Sequence, residues 1–321
     1  MRNGAWHRMW IIFQLAQIWC QAPFLNAATA AELSMLAGPA MGTTYRVTLA
    51  ADIPGMTRGE VHREVEAVLA RIDRAASTWR EDSDASRFNR AAAGEWVTVA
   101  ADLASLVEAA RGIHEQSEGA FDVTVGPLLR LWGGAAASEP SAAALAEARG
   151  RVGMCLIESR PTVVADGPAL RKTSAGVEID LSGIAPGYAV DSIGERLVAL
   201  GSQAHLVELG GEVRAWGEPA EGRSWRVRLR GVGAGQGQVQ EIDLTAGDAV
   251  ATSTCRPGRS PIDPRTGRPV AAASSSRTAT VRATTCASAD AWAVAAIVLD
   301  LAPDRDGTIT MPERSRSAQG P

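Results

Sequence analysis

The stretch "IDLSGIAPGYAVD" (Ile179–Asp191) limits the fold more than any other part of the chain. Apolar residues lead into Gly183 and Pro186, and Val190, Ile193, Leu197 and Leu200 then recur at helical spacing as far as Gly201. Proline is tolerated in the first helical turn, where its missing N–H would have no intrahelical partner. The stretch therefore reads as a strand end, a glycine-broken turn and a helix start. Backbone N–H groups at such a junction suit an anion.

The rest of the chain mixes both periodicities. "TYRVTLA" alternates Tyr45, Val47 and Leu49 against Thr44, Arg46 and Thr48, a strand pattern. Helical spacing joins Val61, Val65, Val68 and Ile72, and again Leu103, Leu106, Ala110 and Ile113. "PSAAALAEARG" reads as a short helix with a glycine stop, and a last helix is expected from Ser288 to Leu301. Strands are expected at "HLVEL", "WRVRLR", "VQEIDL" and "RTATVRA", with the arginines of "WRVRLR" on a solvated face. "GVGAGQG" joins two strand-like runs with no helix after it, so it reads as a hairpin connection, not a nucleotide loop. This order implies an α+β fold with antiparallel or mixed sheets and packed helices.

Bulk properties narrow the function. A formal net charge of −4 argues against nucleic-acid binding, which needs a basic face. Arg2, His7 and Arg8 precede an apolar run from Met9 to Cys20, followed by the small residues of "NAATAAEL". That layout is a secretory signal peptide, residues 1–30, and implies an exported, periplasmic protein. Gln14, Gln17 and Gln21 interrupt the run, so no membrane anchor is expected, and Trp19 before Cys20 disfavours a lipoprotein. Cys155, Cys255 and Cys286 remain, without C-x-x-C spacing, and define no disulfide framework.

Histidine is scarce: His62, His114 and His205 follow the leader, and all three read as surface or packing residues. Imidazole-rich zinc sites and Ser-His-Asp hydrolysis are poorly supported. Carboxylates and glycines remain, in "GAFDVTVGPL", "IDLSGIAPGYAVD", "ELGGEVRAWG", "PIDPRTGRP" and "ASADAW". Such donors suit a hard cation such as Mg2+ beside a phosphate ligand.

In that order, with "MGTTY" and "STWREDSDASRFN" before them, these segments resemble the FAD:protein FMN transferases, the ApbE family. The resemblance covers about residues 35–300 and implies a single ApbE-like α+β domain over 31–302. It implies FAD as substrate, Mg2+ as cofactor and an acceptor flavoprotein with a Ser/Thr site as partner. By matching positions, Met41, Trp79, Ala120, Phe121, Asp122, Asp180, Pro186 and Ile262 would line the FAD site. Gly183, Asp290 and Val294 would surround the metal. Turn or capping duty is the competing reading for Asp122 and Asp180, and Asp191 serves either a helix N-terminus or the substrate.

The chain departs from the family pattern in several places. Pro186 stands where the family usually has Lys or another polar residue, and Val294 where it has a metal-binding Thr. Ser260 and Pro261 stand near the usual His before "IDP", which leaves Asp263 as the candidate catalytic base. The implied reaction is transfer of FMN from FAD to a Ser/Thr hydroxyl, with release of AMP. Two alternatives are a non-catalytic FAD carrier or scaffold and an FAD pyrophosphatase. Residues 303–321 read as a disordered tail, although "APDRDGTITMPE" matches much of a calcium-binding EF-hand loop.

Overall fold

A computed structural model of the chain describes residues 33–133, 139–160, 167–230, 239–256, 260–270, 277–304 and 307–311. The leader 1–30 and the "GVGAGQG" loop lie outside the described residues, as do 312–321. In chain order the elements are β1 (Ser34–Ala40), β2 (Thr43–Leu49), α1 (Arg58–Ala76), α2 (Asp84–Arg90), β3 (Trp96–Thr98) and α3 (Ala101–Gln116). Then come α4 (Gly126–Trp132), α5 (Ala142–Arg149), β4 (Ile157–Arg160), β5 (Ala169–Lys172), α6 (Ala185–Ala199), β6 (His205–Leu209) and β7 (Glu212–Trp216). The last are β8 (Trp225–Arg230), β9 (Val239–Leu244), β10 (Ala249–Cys255), β11 (Ile262–Asp263), β12 (Arg268–Pro269), β13 (Arg277–Ala283), α7 (Cys286–Leu299) and β14 (Ile309–Thr310).

A seven-stranded sheet, ordered β1-β2-β6-β7-β10-β13-β14, forms the centre. Its pairs are antiparallel except β13 with β14. α1, α6 and α7 join β2, β6, β10 and β13 in the main apolar core. The β8–β9 ribbon closes a second core with the sheet through Trp225, Val227, Leu229, Ile242 and Leu244. Coverage on both faces explains why every residue of β6 is buried, with no polar-out alternation. The solvated-face reading of β8 holds: Arg226 and Arg228 pair with Asp243 and Glu241 across the ribbon.

Local chemistry fixes the helix starts. Thr57 accepts from Glu60 N at 3.3 Å while its own N donates to Glu60 Oε2 at 2.8 Å, a capping box for α1. α7 begins at Cys286, two residues before the expected Ser288, because Thr285 accepts from Ser288 N at 3.2 Å. Asp300, at φ +57, terminates α7. The three remaining cysteines are free thiols.

One expectation at the chain end is corrected. Residues 309–310 form β14 against Val281 and Arg282, and Ile309 is buried, so the sheet runs past the expected boundary at 302. In the calcium-like stretch, Asp304 N donates to Thr308 O at 2.6 Å and Gly307 N to Asp304 O at 3.0 Å. The backbone there closes a turn that feeds a strand; the rest of that stretch, residues 305–306 and 312–313, lies outside the described residues.

Candidate active site

Pro186 sits in the first turn of α6, as the sequence demands. The next residue sets the geometry. A Cβ on Gly187 would overlap the Cys286 carbonyl and the Ala287 N, so glycine lets α6 run against the start of α7. Gly187 N then donates to Asp290 Oδ2 at 3.1 Å. One helical turn after Asp290, Val294 Cγ2 would lie 3.2 Å from a Cβ on Gly183, and Phe121 Cε2 3.3 Å from it. The structure thus gathers Gly183, Asp290, Val294 and Phe121 at the α6–α7 crossing.

Asp290 is 7% exposed, and burial pushes its carboxyl up to about 7. Glu212, on β7, is pushed well up as well, first by burial and then by the Asp290 charge. Asp191 resolves the two readings left open for it. Its oxygens accept from Cys286 N and Ala287 N, each at 2.9 Å, and from Arg214 Nη1 at 2.7 Å. It caps the N-terminus of α7, a helix other than its own.

The "AFD" turn is tied into the same region. Asp180 N donates to Val123 O at 2.7 Å, and Asp180 Oδ1 accepts from Ser182 N at 2.9 Å. Asp122 Oδ1 accepts from Thr124 N at 2.7 Å and Oγ1 at 2.6 Å, while Oδ2 lies 3.2 Å from His114 Nδ1. Asp122 raises the His114 imidazole above its ordinary value, against a smaller opposing effect of burial. Both aspartates do turn duty, and Asp122 also orients an imidazole. His114 lines a cleft of about 500 Å³ with Asp122, Arg149, Pro264 and Arg265. His114 lies in the last turn of α3, five residues before Gly119, and only the fold brings it onto Asp122.

The other two histidines do pack. His205 is fully buried and stacked on Trp216 at 4.9 Å between ring centroids, and burial pushes it down to about 4. His62 Nε2 lies 2.5 Å from the Tyr45 hydroxyl.

Asp263, the candidate base, is paired with Arg265. Its Oδ1 accepts from Arg265 N and Nε, both at 2.9 Å, and its Oδ2 from Arg265 Nη2 at 3.1 Å. Ile262 packs beside it with Leu128, Leu145 and Ala148, in a small core of its own. Met41 and Trp79 stand on two further loops and join neither group by a side-chain hydrogen bond among the described residues. Met41 holds φ +47 in the β1–β2 turn, a conformation that costs a non-glycine residue about 1–2 kcal/mol. Trp79 is 70% exposed and offers an open ring face.

Comparison with known proteins gives the family. Residues 41–306 match the family described as the ApbE family. A Haemophilus influenzae FAD:protein FMN transferase is 36% identical over 200 residues, 60% of this chain and 57% of that protein's own length. A Vibrio cholerae FAD:protein FMN transferase is 34% identical over 251 residues, 75% of this chain and 74% of the relative. The crystal structure of the Pseudomonas stutzeri flavinyl transferase ApbE, apo form, superposes with a TM-score of 0.73 at 33% identity, covering 86% of each chain. The match over residues 41–306, the Vibrio cholerae relative and the superposed structure lead to one conclusion: the chain belongs to the ApbE family.

Proposed function

We propose that this protein transfers FMN from FAD to a Ser or Thr hydroxyl of a partner flavoprotein in the periplasm, with Mg2+ as cofactor. The hydroxyl oxygen bonds to the FMN-side phosphorus, the bond from that phosphorus to the bridging oxygen breaks, and AMP leaves with that oxygen. The hydroxyl proton passes to solvent. Family membership supports the reaction class, and the leader 1–30, read from sequence, supports export. Among the described residues no helix is long and apolar enough to cross a membrane.

The observation that carries this reading is the meeting of Gly183, Asp290, Val294 and Phe121 at the α6–α7 crossing. Asp290 is a buried carboxylate whose elevated proton affinity a cation would relieve. Mg2+ is commonly held by one or two carboxylates together with substrate phosphates and water. Asp290 and the Gly183 carbonyl would hold it; Val294 supplies only methyl groups. When bound, Mg2+ neutralises charge developing on the pyrophosphate. Phe121 packs beside that place, and Gly187 fixes the orientation of Asp290 through its N–H.

The test is incubation of the mature protein with FAD, Mg2+ and an acceptor flavoprotein domain. Covalent flavin on the acceptor and free AMP are expected. Free FMN without covalent product would make the protein a pyrophosphatase. Unchanged bound FAD would make it a carrier, the reading that a valine at position 294 favours.

A further inference from the structure

Asp122 is already enclosed. Thr124 takes one oxygen, His114 the other, and the side chain is 2% exposed. The group turned to the cleft is the imidazole. His114 Nδ1 faces two acceptors, Asp122 Oδ2 at 3.2 Å and Phe121 O at 3.1 Å. Neither an ionised carboxylate nor a carbonyl can donate, so Nδ1 carries a proton and Nε2 is the nitrogen left to the cleft. Nε2 has no partner among the described residues, and the side chain is 27% exposed at the cleft.

The cleft has the size of a small-ligand site, about 500 Å³. Arg149 and Arg265 also line it, but Arg149 donates to the Arg265 carbonyl and Arg265 to Asp263, so the imidazole nitrogen is the open polar group. A hydroxyl pairs with such a nitrogen in either protonation state, because its O–H donates while its lone pairs accept. We infer that His114, fixed by Asp122, contacts FAD in this cleft through a hydrogen bond between Nε2 and a sugar hydroxyl of the dinucleotide. The inference rests on the reading of FAD as the substrate.

The same geometry keeps His114 away from the phosphorus. The Phe121 carbonyl faces His114, whereas the Phe121 ring lies against Gly183. The imidazole therefore sits roughly a phenylalanine's length from Gly183, beside which the metal and the pyrophosphate would lie. A general base must come within about 2.6–3.2 Å of the proton it takes. His114 contributes to binding, not to the chemical step.

FAD carries such hydroxyls on both sides of its pyrophosphate: a ribose on the AMP half and a ribityl chain on the FMN half. The test uses AMP and FMN as separate probes. His114→Asn places an amide N–H near the position of Nδ1, so Asp122 and the Phe121 carbonyl keep a donor while Nε2 is removed. Dissociation constants are measured for both probes on wild-type and variant protein. One of them should rise about tenfold, the loss of about 1.4 kcal/mol: AMP identifies the ribose, FMN the ribityl chain. In turnover, KM for FAD should rise by the same factor with kcat unchanged, a split that a merely structural residue would not produce.

A second measurement needs no variant. In 15N-histidine-labelled wild-type protein, the Nε2 resonance of His114 should shift on saturation with the same probe. Unchanged constants for both probes, or an unmoved resonance, overturns the assignment. Wild-type protein that transfers FMN while the resonance stays unmoved overturns this inference alone. Wild-type protein that binds none of FAD, AMP and FMN overturns it together with the proposed function.

Discussion

Asp290 and Asp122 are both buried aspartates near Phe121, yet their surroundings differ in charge. Asp290 receives one backbone N–H, from Gly187, and shares its region with two further acidic side chains, Asp191 and Glu212. Asp122 receives two bonds from Thr124 and sits against an imidazole whose proton affinity it raises. The first site has excess negative charge and is electrostatically suited to a cation. The second is compensated within the chain and leaves one imidazole nitrogen, His114 Nε2, open to the cleft. One residue type supplies two functions because the low dielectric of the interior makes the nearest partner decisive.

The largest effect that would break this contrast comes from Asp290→Asn. Even outer-shell changes at metal sites cost on the order of 10–100-fold, so Mg2+-dependent FMN transfer should fall about 100-fold or more. The same change should raise the melting temperature of metal-free protein at pH 8. The native carboxyl holds its proton up to about 7, well above its unfolded value, so its stabilising contribution is present at low pH and lost as pH rises through about 7. An amide does not titrate. A lower melting temperature at pH 8 would show that Asp290 is compensated after all.

Gly187→Ala should come next. The new methyl would meet Cys286 backbone, which cannot rotate away, and overpacking of this kind costs about 1–3 kcal/mol. Chemical denaturation should show that loss, and FAD affinity should fall with it. A neutral result would mean that α6 and α7 are not held as closely as their crossing implies.

Val294→Thr adds an oxygen beside Gly183 in nearly the same volume. The Mg2+ concentration for half-maximal rate should drop roughly tenfold, within the range for changes around metal ligands, with the melting temperature almost unmoved. Destabilisation without any change in Mg2+ dependence would make this helix face plain core.

The smallest effect concerns His114. Its folded proton affinity exceeds the unfolded one because of Asp122, so the pair stabilises fully below about pH 6.5 and loses that contribution as pH rises through the raised value. Urea midpoints should decline across that window in wild-type protein, and His114→Asn should flatten the decline. An identical slope in both would remove Asp122 as the cause.

The elements that were legible carry local signals. Period-two alternation marks β2, β8 and β9, helical spacing marks α1 and α3, and Pro186 and Gly183 punctuate one junction. β1 and β14 carried no such signal, since a strand at a sheet edge is defined by the neighbour it pairs with. The site divided in the same way. Ordered motifs brought Gly183, Asp290 and Val294 into one hypothesis, because residue order and helical spacing are properties of the chain itself.

What a carboxylate does once buried is another matter, and only tertiary structure decided it. Asp191 caps α7 across 95 positions of sequence, Asp263 is neutralised by Arg265, and Asp122 orients His114. Sequence determined which groups exist and which segments can be strand or helix, through backbone sterics and side-chain periodicity. The three-dimensional packing determined which donor or charge each buried oxygen meets. That choice sets whether the group binds, caps or titrates, because desolvation and partner distance act through space and leave no trace in residue order.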